Sequence, residues 1–117
     1  MNRIQDYALI GDCHSSALVG RDGSIDWCAF PRFDSPSVFA KILDEKKGGF
    51  CRIHAKGYSK VQRSYSPDTN VLETDFHTED GILHLQDCMP VHPLDPTRPA
   101  RVTAYNSILR KATCTEG

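Results

Sequence analysis

Apolar and polar residues alternate along much of the chain with a period of two, and Gly, Asp, Asn and Pro interrupt the alternation at short intervals. The pattern predicts a mainly β protein. Ser16–Val19, the turn residues Gly20-Arg21-Asp22-Gly23-Ser24 and Ile25–Phe30 read as a hairpin. Asp22-Gly23 supplies the positive φ that a tight turn between twisted strands requires. A second hairpin runs from Asn70–Thr78 through Glu79-Asp80-Gly81 to Ile82–Cys88. In its first arm Leu72, Thr74 and Phe76 share one face, predicted to be core, and Glu73, Asp75 and His77 share the other, predicted to be wet. Gly49–His54, Tyr58–Tyr65 and Val102–Leu109 are further predicted strands.

One segment departs from the period of two. Ser35 suits a helix N-cap, and Pro36 suits the first helical position, where a missing N–H costs nothing. Val38, Phe39, Ile42 and Leu43 then fall on one helical face, and Gly48-Gly49 stops the run, so a short amphipathic helix is predicted over residues 36–44. Pro90, Pro93, Pro96 and Pro99 exclude a helix or central strand after Met89 and predict a loop with polyproline character.

Composition narrows the class. The 117 residues are 39% hydrophobic and 25% charged, the size and mix of one domain. With no internal repeat, low-complexity tract or linker, residues 1–117 read as one domain or part of one. No apolar run approaches the ~18 residues of a membrane span, and Met1 to Asp6 lack the apolar core of a secretory signal. A soluble cytoplasmic chain is the expectation. Fourteen Lys and Arg are interspersed with fifteen Asp and Glu, leaving no basic stripe, so neither nucleic acid nor a membrane is an expected partner. Five cysteines, Cys13, Cys28, Cys51, Cys88 and Cys114, are odd in number and lack a CxxC pair, which excludes a fully paired disulfide framework and predicts reduced thiols.

Several groups of residues invite a chemical reading. His84, Cys88 and His92 are metal-ligand types spaced by four, but the segment reads as strand and then proline-rich loop. On a strand His84 and Cys88 lie ~13 Å apart, too far to ligate one zinc ion. No metal or cofactor is therefore expected. Cys13-His14 suggests a thiolate and base, yet neighbours on an extended segment point to opposite faces, so Cys13 reads as a buried thiol despite Asp12, Ser15 and Ser16 nearby. Asp22, Glu79 and Asp80 fall in turns and Glu73 and Asp75 on a wet face, where a carboxyl does not acquire the raised pKa of a general acid. No catalytic residue is identified. The densest cluster runs from Ile25 to Ser35 and holds the only Trp, two Phe, Arg32, Asp26 and Asp34. Two readings fit it. Trp27, Arg32, Phe33 and Asp34 suit stacking on a sugar face and bonding its hydroxyls. Alternatively, Trp27 and Phe33 are core, while Arg32 pairs with Asp34 or Asp26 to pin the corner.

As a string, the chain resembles the N-terminal region of glycoside hydrolases of family 15, the bacterial and archaeal glucoamylase and trehalase-like enzymes. The matching blocks are Ile4-Gln5-Asp6-Tyr7-Ala8-Leu9-Ile10-Gly11-Asp12, Ala17-Leu18-Val19, Asp22-Gly23-Ser24-Ile25-Asp26-Trp27, and Pro31-Arg32-Phe33-Asp34-Ser35-Pro36-Ser37-Val38-Phe39 through Leu43-Asp44 and Gly48-Gly49. Tyr65-Ser66-Pro67-Asp68-Thr69-Asn70-Val71-Leu72-Glu73-Thr74 and Asp87-Cys88-Met89-Pro90 follow in family order. The chain departs from the family at His14, where Arg is frequent, and at Cys28-Ala29-Phe30, where Leu-Cys-Leu is common. The first departure weakens the transfer of a basic role to that position.

The resemblance implies an antiparallel β-sandwich, or its first part, preceding an (α/α)6 barrel in the same polypeptide. In the family that barrel carries two catalytic glutamates and hydrolyses α-glucosides or oligosaccharides with inversion. None of the barrel's motifs occurs in these residues, so no catalytic position carries over. The implied role is a non-catalytic domain that packs on the barrel and shapes its substrate entrance, with Trp27, Arg32, Phe33 and Asp34 as the rim or interface. An autonomous carbohydrate-binding module is the alternative.

Overall fold

The computed structural model describes residues 3–93, 102–104 and 107–116, with side chains for 3–91 and 107–115. A single 3-10 turn (Ile4–Asp6) leads into the first sheet: β1 (Tyr7–Gly11), β2 (Ser16–Gly20), β3 (Ser24–Ala29), β4 (Ser37–Phe39) and β5 (Cys51–Arg52). The order is β1-β2-β3, and β4 and β5 share the far edge of β3, pairing with its end and its beginning respectively. The second sheet starts with β6 (Lys60–Tyr65), β7 (Leu72–His77) and β8 (Ile82–Cys88). A two-stranded ribbon of β9 (Val91–Pro93) and β10 (Val102–Ala104) follows, and β11 (Leu109–Glu116) returns to pair with β8. Among the described residues every strand pairing is antiparallel, and the two sheets form a β-sandwich.

Both predicted hairpins are present, and Leu72, Thr74 and Phe76 are buried as their alternation requires. On β8 the facing positions are Asp87, Leu85 and Leu83, while Glu73, Asp75 and His77 lie half-buried on the opposite face. Ile10, Ala17, Val19, Ile25 and Cys28 of the first sheet meet Leu72 and Met89 in one core. Each fully buried Leu, Ile or Phe there contributes roughly 1.5–3 kcal/mol. Ile25 and Cys28 are three residues apart, which strict alternation would place on opposite faces. Asp26 is the extra residue of a β-bulge between the pairs Val19↔Ile25 and Leu18↔Trp27, and it restores both apolar side chains to the core.

The helix predicted over residues 36–44 does not form. Ser37–Phe39 instead pairs with Cys28 and Ala29, with a bulge at Val38, and residues 41–47 turn back. Ala40 N donates to Gly48 O (2.7 Å), Lys41 N to Gly49 O (3.1 Å) and Ile42 N to Asp26 O (3.1 Å). The edge of β3 would otherwise leave its backbone groups unbonded, and satisfying it outweighs the weak local preference of a two-turn helix. Three further predicted strands contract. Gly49–His54 keeps only β5, Tyr58–Tyr65 begins at Lys60, and Val102–Leu109 separates into β10 and the start of β11. In the proline-rich segment Val91–Pro93 is ribbon, whereas Pro96 and Pro99 lie outside the described residues.

Polar side chains clamp the sheets together. Arg63 of β6 donates Nη1 to Val19 O (2.9 Å) and Nη2 to Asp6 O. Burial, then nearby Arg21, lowers its pKa from the ordinary guanidinium value, and it stays charged. The Tyr65 hydroxyl bonds both backbone groups of Leu9, covering the open edge of β1. From β11, Arg110 pairs with buried Asp87 (Nε to Oδ1, 2.6 Å) and donates to Gly23 O (2.6 Å) and Cys51 O (2.9 Å) across the sandwich.

The five cysteines are free thiols in graded environments. Burial, with the Asp12 carboxylate nearby, pushes the Cys28 thiol up to about 11. The folded chain keeps this proton where an unfolded thiol loses it, from about pH 8.5. Stability is therefore expected to fall between about pH 8.5 and 11, by roughly 3 kcal/mol, and Cys28→Ala should remove this component of an alkaline denaturation series. In the native state a thiol reagent at pH 7.5 should label exposed Cys13 and Cys114 at once and Cys28 only on unfolding.

Candidate functional site

The β1–β2, β3–β4 and β6–β7 loops and the segment after β8 gather at one end of the sandwich. In the first of these, Asp12 Oδ1 accepts from His14 N (2.9 Å) and Ser15 N (2.8 Å), while Asp12 N donates to Ser15 O (3.3 Å). This is why an Asp stands there: its side chain imitates a turn carbonyl and closes the loop. Cys13 takes the left-handed conformation (φ 71°) and is exposed, contrary to the buried thiol expected from the sequence. The His14 ring faces Asp12 O (3.3 Å).

The β3–β4 loop leans on this turn. Phe33 N donates to His14 O (3.1 Å), and Ser15 Oγ donates to Ala29 O. Arg32 and Ser35 form a reciprocal turn, Ser35 N to Arg32 O and Arg32 N to Ser35 Oγ, both 3.1 Å. Arg32 pairs with Asp34 at 3.3 Å in full exposure, and that guanidinium holds the Asp34 carboxyl below the ordinary value. Phe33 is 57% exposed and is not core.

Asp26 is not the partner of Arg32. It is buried at the β3 bulge, where it accepts from the Ser24 and Tyr7 hydroxyls, each at 2.5 Å. Trp27 stays on the strand, half-buried on the outer face of the first sheet, paired across β2 with Leu18 and beyond it with Leu9. The structure thus brings Arg32, Phe33 and Asp34 together in one exposed loop. Among the described residues, no hydrogen bond or ring contact joins Trp27 to them.

The buried carboxylates Asp26 and Asp87 are occupied by intramolecular donors, so neither is free to exchange a proton with a substrate. Burial raises the Asp87 pKa, against the lowering by Arg110. On the outer face of the second sheet His84 Nδ1 meets Asp75 Oδ1 at 2.6 Å and Nε2 meets Glu73 Oε1 at 3.5 Å. Among the described residues no group of three or more His, Cys, Asp or Glu could hold a metal ion, and the His92 side chain lies outside them. Nor, among these residues, is any helix long and apolar enough to cross a membrane.

Two features of this end were not singled out from the sequence. Asp12 Oδ2 is buried without a hydrogen-bond partner, and Asp12 lines a cavity of about 280 Å3 together with Asn70, Val71, Met89, Pro90 and Val91. The Asp that ends the run Tyr7–Gly11 was the only signal available, and it identifies the turn but not the cavity.

Comparison with known proteins places the chain. The family described as "Trehalase-like, N-terminal" matches residues 1–106. Trehalase 2 of Sulfolobus acidocaldarius is 44% identical over 102 residues, covering 87% of this chain and 16% of that protein. The trehalase of Mycolicibacterium smegmatis is 37% identical over 124 residues, covering 97% of this chain and 18% of that protein. For trehalase 1 of Sulfolobus acidocaldarius the identity is 46% over 83 residues, 71% of this chain and 14% of that protein. The chain therefore spans less than a fifth of the length of these curated relatives. No solved structure matches it significantly. Only residues 107–117 lie beyond the family match, and the chain belongs to the trehalase-like N-terminal family.

Proposed function

We propose that this chain is the non-catalytic N-terminal domain of a trehalase-type α-glucoside hydrolase that acts in the cytoplasm with inversion. In this reading it packs on a catalytic (α/α)6 barrel of the same polypeptide, supports it and helps to shape its substrate entrance. The observation that carries the proposal is the family match over residues 1–106, together with relatives named trehalases in which the matched part is so small a share of the length. Exposed apolar side chains support a packing role. Phe33, Val38 (54% exposed) and Leu43 (77% exposed) follow one another from the β3–β4 loop through β4 into the next turn. Trp27, Arg32, Phe33 and Asp34 are the proposed interface or substrate rim.

The purified 117-residue chain is expected to release no glucose from trehalose, maltooligosaccharide or dextran. Added to a trehalase 2 of Sulfolobus acidocaldarius lacking its matched segment, it should bind and raise the melting temperature of that protein. Phe33→Ser should weaken binding about tenfold, the loss of one buried aromatic anchor. Turnover by the pure chain, or no association with the truncated relative, would overturn the proposal. Saturable quenching of Trp27 fluorescence by glucose oligomers would favour a carbohydrate-binding module.

A further inference from the structure

The β1–β2, β3–β4 and β6–β7 loops each bring one carboxylate to this end of the sandwich, and two of the three are engaged. Asp12 is buried in its own turn, and Asp34 is paired with Arg32. Asp68 of the β6–β7 loop is exposed, and among the described residues no hydrogen bond or ion pair engages its side chain. The exposed Asn70 amide, two residues on, is equally unengaged.

Both stand on a loop that is held firmly. Ser66 N donates to Val71 O (2.9 Å) and Thr69 N to Ser66 O (3.1 Å). The Thr69 hydroxyl donates to Ser66 O (2.9 Å) and accepts from Val71 N (3.2 Å). Asp68 is the third residue of the turn Ser66–Thr69 and takes the left-handed conformation (φ 59°), a place better suited to Gly. Turn formation therefore does not explain why a carboxylate is there.

The residues from Tyr65 to Asn70 line a concavity of about 390 Å3, within the range of roughly 300–1,000 Å3 typical of small-molecule sites. Tyr65 is 44% exposed, and because its hydroxyl bonds Leu9, the ring is the free part of the side chain. Asn70 also lines the neighbouring cavity with Val71, Met89, Pro90 and Val91, so polar groups stand beside apolar surface. An accepting carboxylate, an amide that donates and accepts, and an aromatic ring together suit a neutral pyranose, which has vicinal hydroxyls and an apolar C–H face. A calcium ion takes about six to eight oxygen ligands, and this concavity offers a single carboxylate. From this combination we propose that the β6–β7 loop is a sugar subsite, in which Asp68 and Asn70 bond adjacent hydroxyls of an α-glucoside beside the Tyr65 ring. The proposal rests on the reading of this domain as part of a substrate entrance, and it supplies the free carboxylate that Asp34, held by Arg32, does not.

The test is backbone amide NMR of the 117-residue chain with trehalose as the probe, and with sorbitol and calcium chloride as controls. Trehalose should move the amides of Tyr65, Asp68, Asn70 and Val71 saturably, with a dissociation constant on the order of millimolar for so open a site. Trp27 fluorescence should stay constant, since Trp27 lies on the outer face of the first sheet. Asp68→Gly suits the positive φ, so the variant should melt no lower than the parent chain while binding at least about tenfold more weakly. Asn70→Ala should also weaken binding. Equal shifts with sorbitol, undiminished binding by Asp68→Gly, the same saturable shifts with calcium chloride alone, Trp27 quenching in place of the shifts, or no shift at all would each overturn the subsite. Association with the truncated relative while trehalose is silent rejects the subsite and leaves the packing role. Trehalose binding at these residues without association rejects the packing role alone.

Discussion

Replacing Arg110 with Met is expected to lower the unfolding free energy by about 3–5 kcal/mol, measured by urea denaturation at pH 7.5. The Met side chain fills much of the space of the Arg stem, so the loss reports the guanidinium. That group bonds Asp87 through Nε and Nη2 and crosses the sandwich to Gly23 O and Cys51 O. Asp87 is fully buried and would be left as an unpaired charge. A change of this size is a large part of the roughly 5–15 kcal/mol that holds a domain of this kind together. The double variant Asp87→Leu with Arg110→Met should recover most of the loss, because a well-packed apolar pair often matches a buried ion pair. A double variant as unstable as the single one would show that the bonds to Gly23 and Cys51 dominate.

The pH dependence of Arg110→Met follows from Asp87. Burial already lifts this carboxyl above its ordinary value against the pull of Arg110, and removing the cation lifts it further. A raised carboxyl penalises the folded state where it is ionised, above the folded pKa, and the penalty disappears below the unfolded pKa of about 3.9. The variant should therefore lose less stability at pH 5 than at pH 8. An equal loss at the two pH values would mean that Asp87 carries no charge in the native pair.

The second large effect is expected at Gly23. Gly23→Ala places a Cβ 1.9 Å from Ile53 O and 3.1 Å from the Phe76 ring, at a φ of +78°. Backbone cannot yield to a contact under 3 Å without displacing β5, whose pairing depends on the bond from Ile53 N to Gly23 O (3.1 Å). The same shift disturbs two acceptors of Arg110, Gly23 O and Cys51 O. A loss of about 3 kcal/mol or more is expected, combining backbone strain with overpacking. Gly57→Ala is the control, since Gly57 has a similar φ of +71° and nothing within 4 Å. It should cost only about 1 kcal/mol, the conformational part alone. Equal losses at the two positions would assign the whole effect to φ.

The candidate loop was partly legible before any coordinates. Pro31-Arg32-Phe33-Asp34-Ser35 is a dense string of turn and recognition residues, and Arg32, Phe33 and Asp34 do share one exposed loop. Trp27 was grouped with them by sequence proximity, but a strand residue on the outer face of a sheet keeps neighbours from adjoining strands, here Leu18 and Leu9. The empty side of Asp12 was illegible, because an unpaired oxygen is a property of everything that surrounds it.

Local pattern alone determined the hairpins at 16–30 and 70–88 and the inward face of Leu72, Thr74 and Phe76. Period-two alternation and Asp-Gly turns act over a few residues, and no distant contact is needed to choose them. Tertiary structure decided the rest, through backbone groups and charges that had to be satisfied across the fold. The open edge of β3 drew Ser37–Phe39 out of its helical pattern. The edge of β8 ordered the polar stretch Leu109–Glu116 as β11, and buried Asp87 met its cation only when that strand arrived. Each of these outcomes joins residues of separate segments, at a free-energy advantage that neither segment carries by itself.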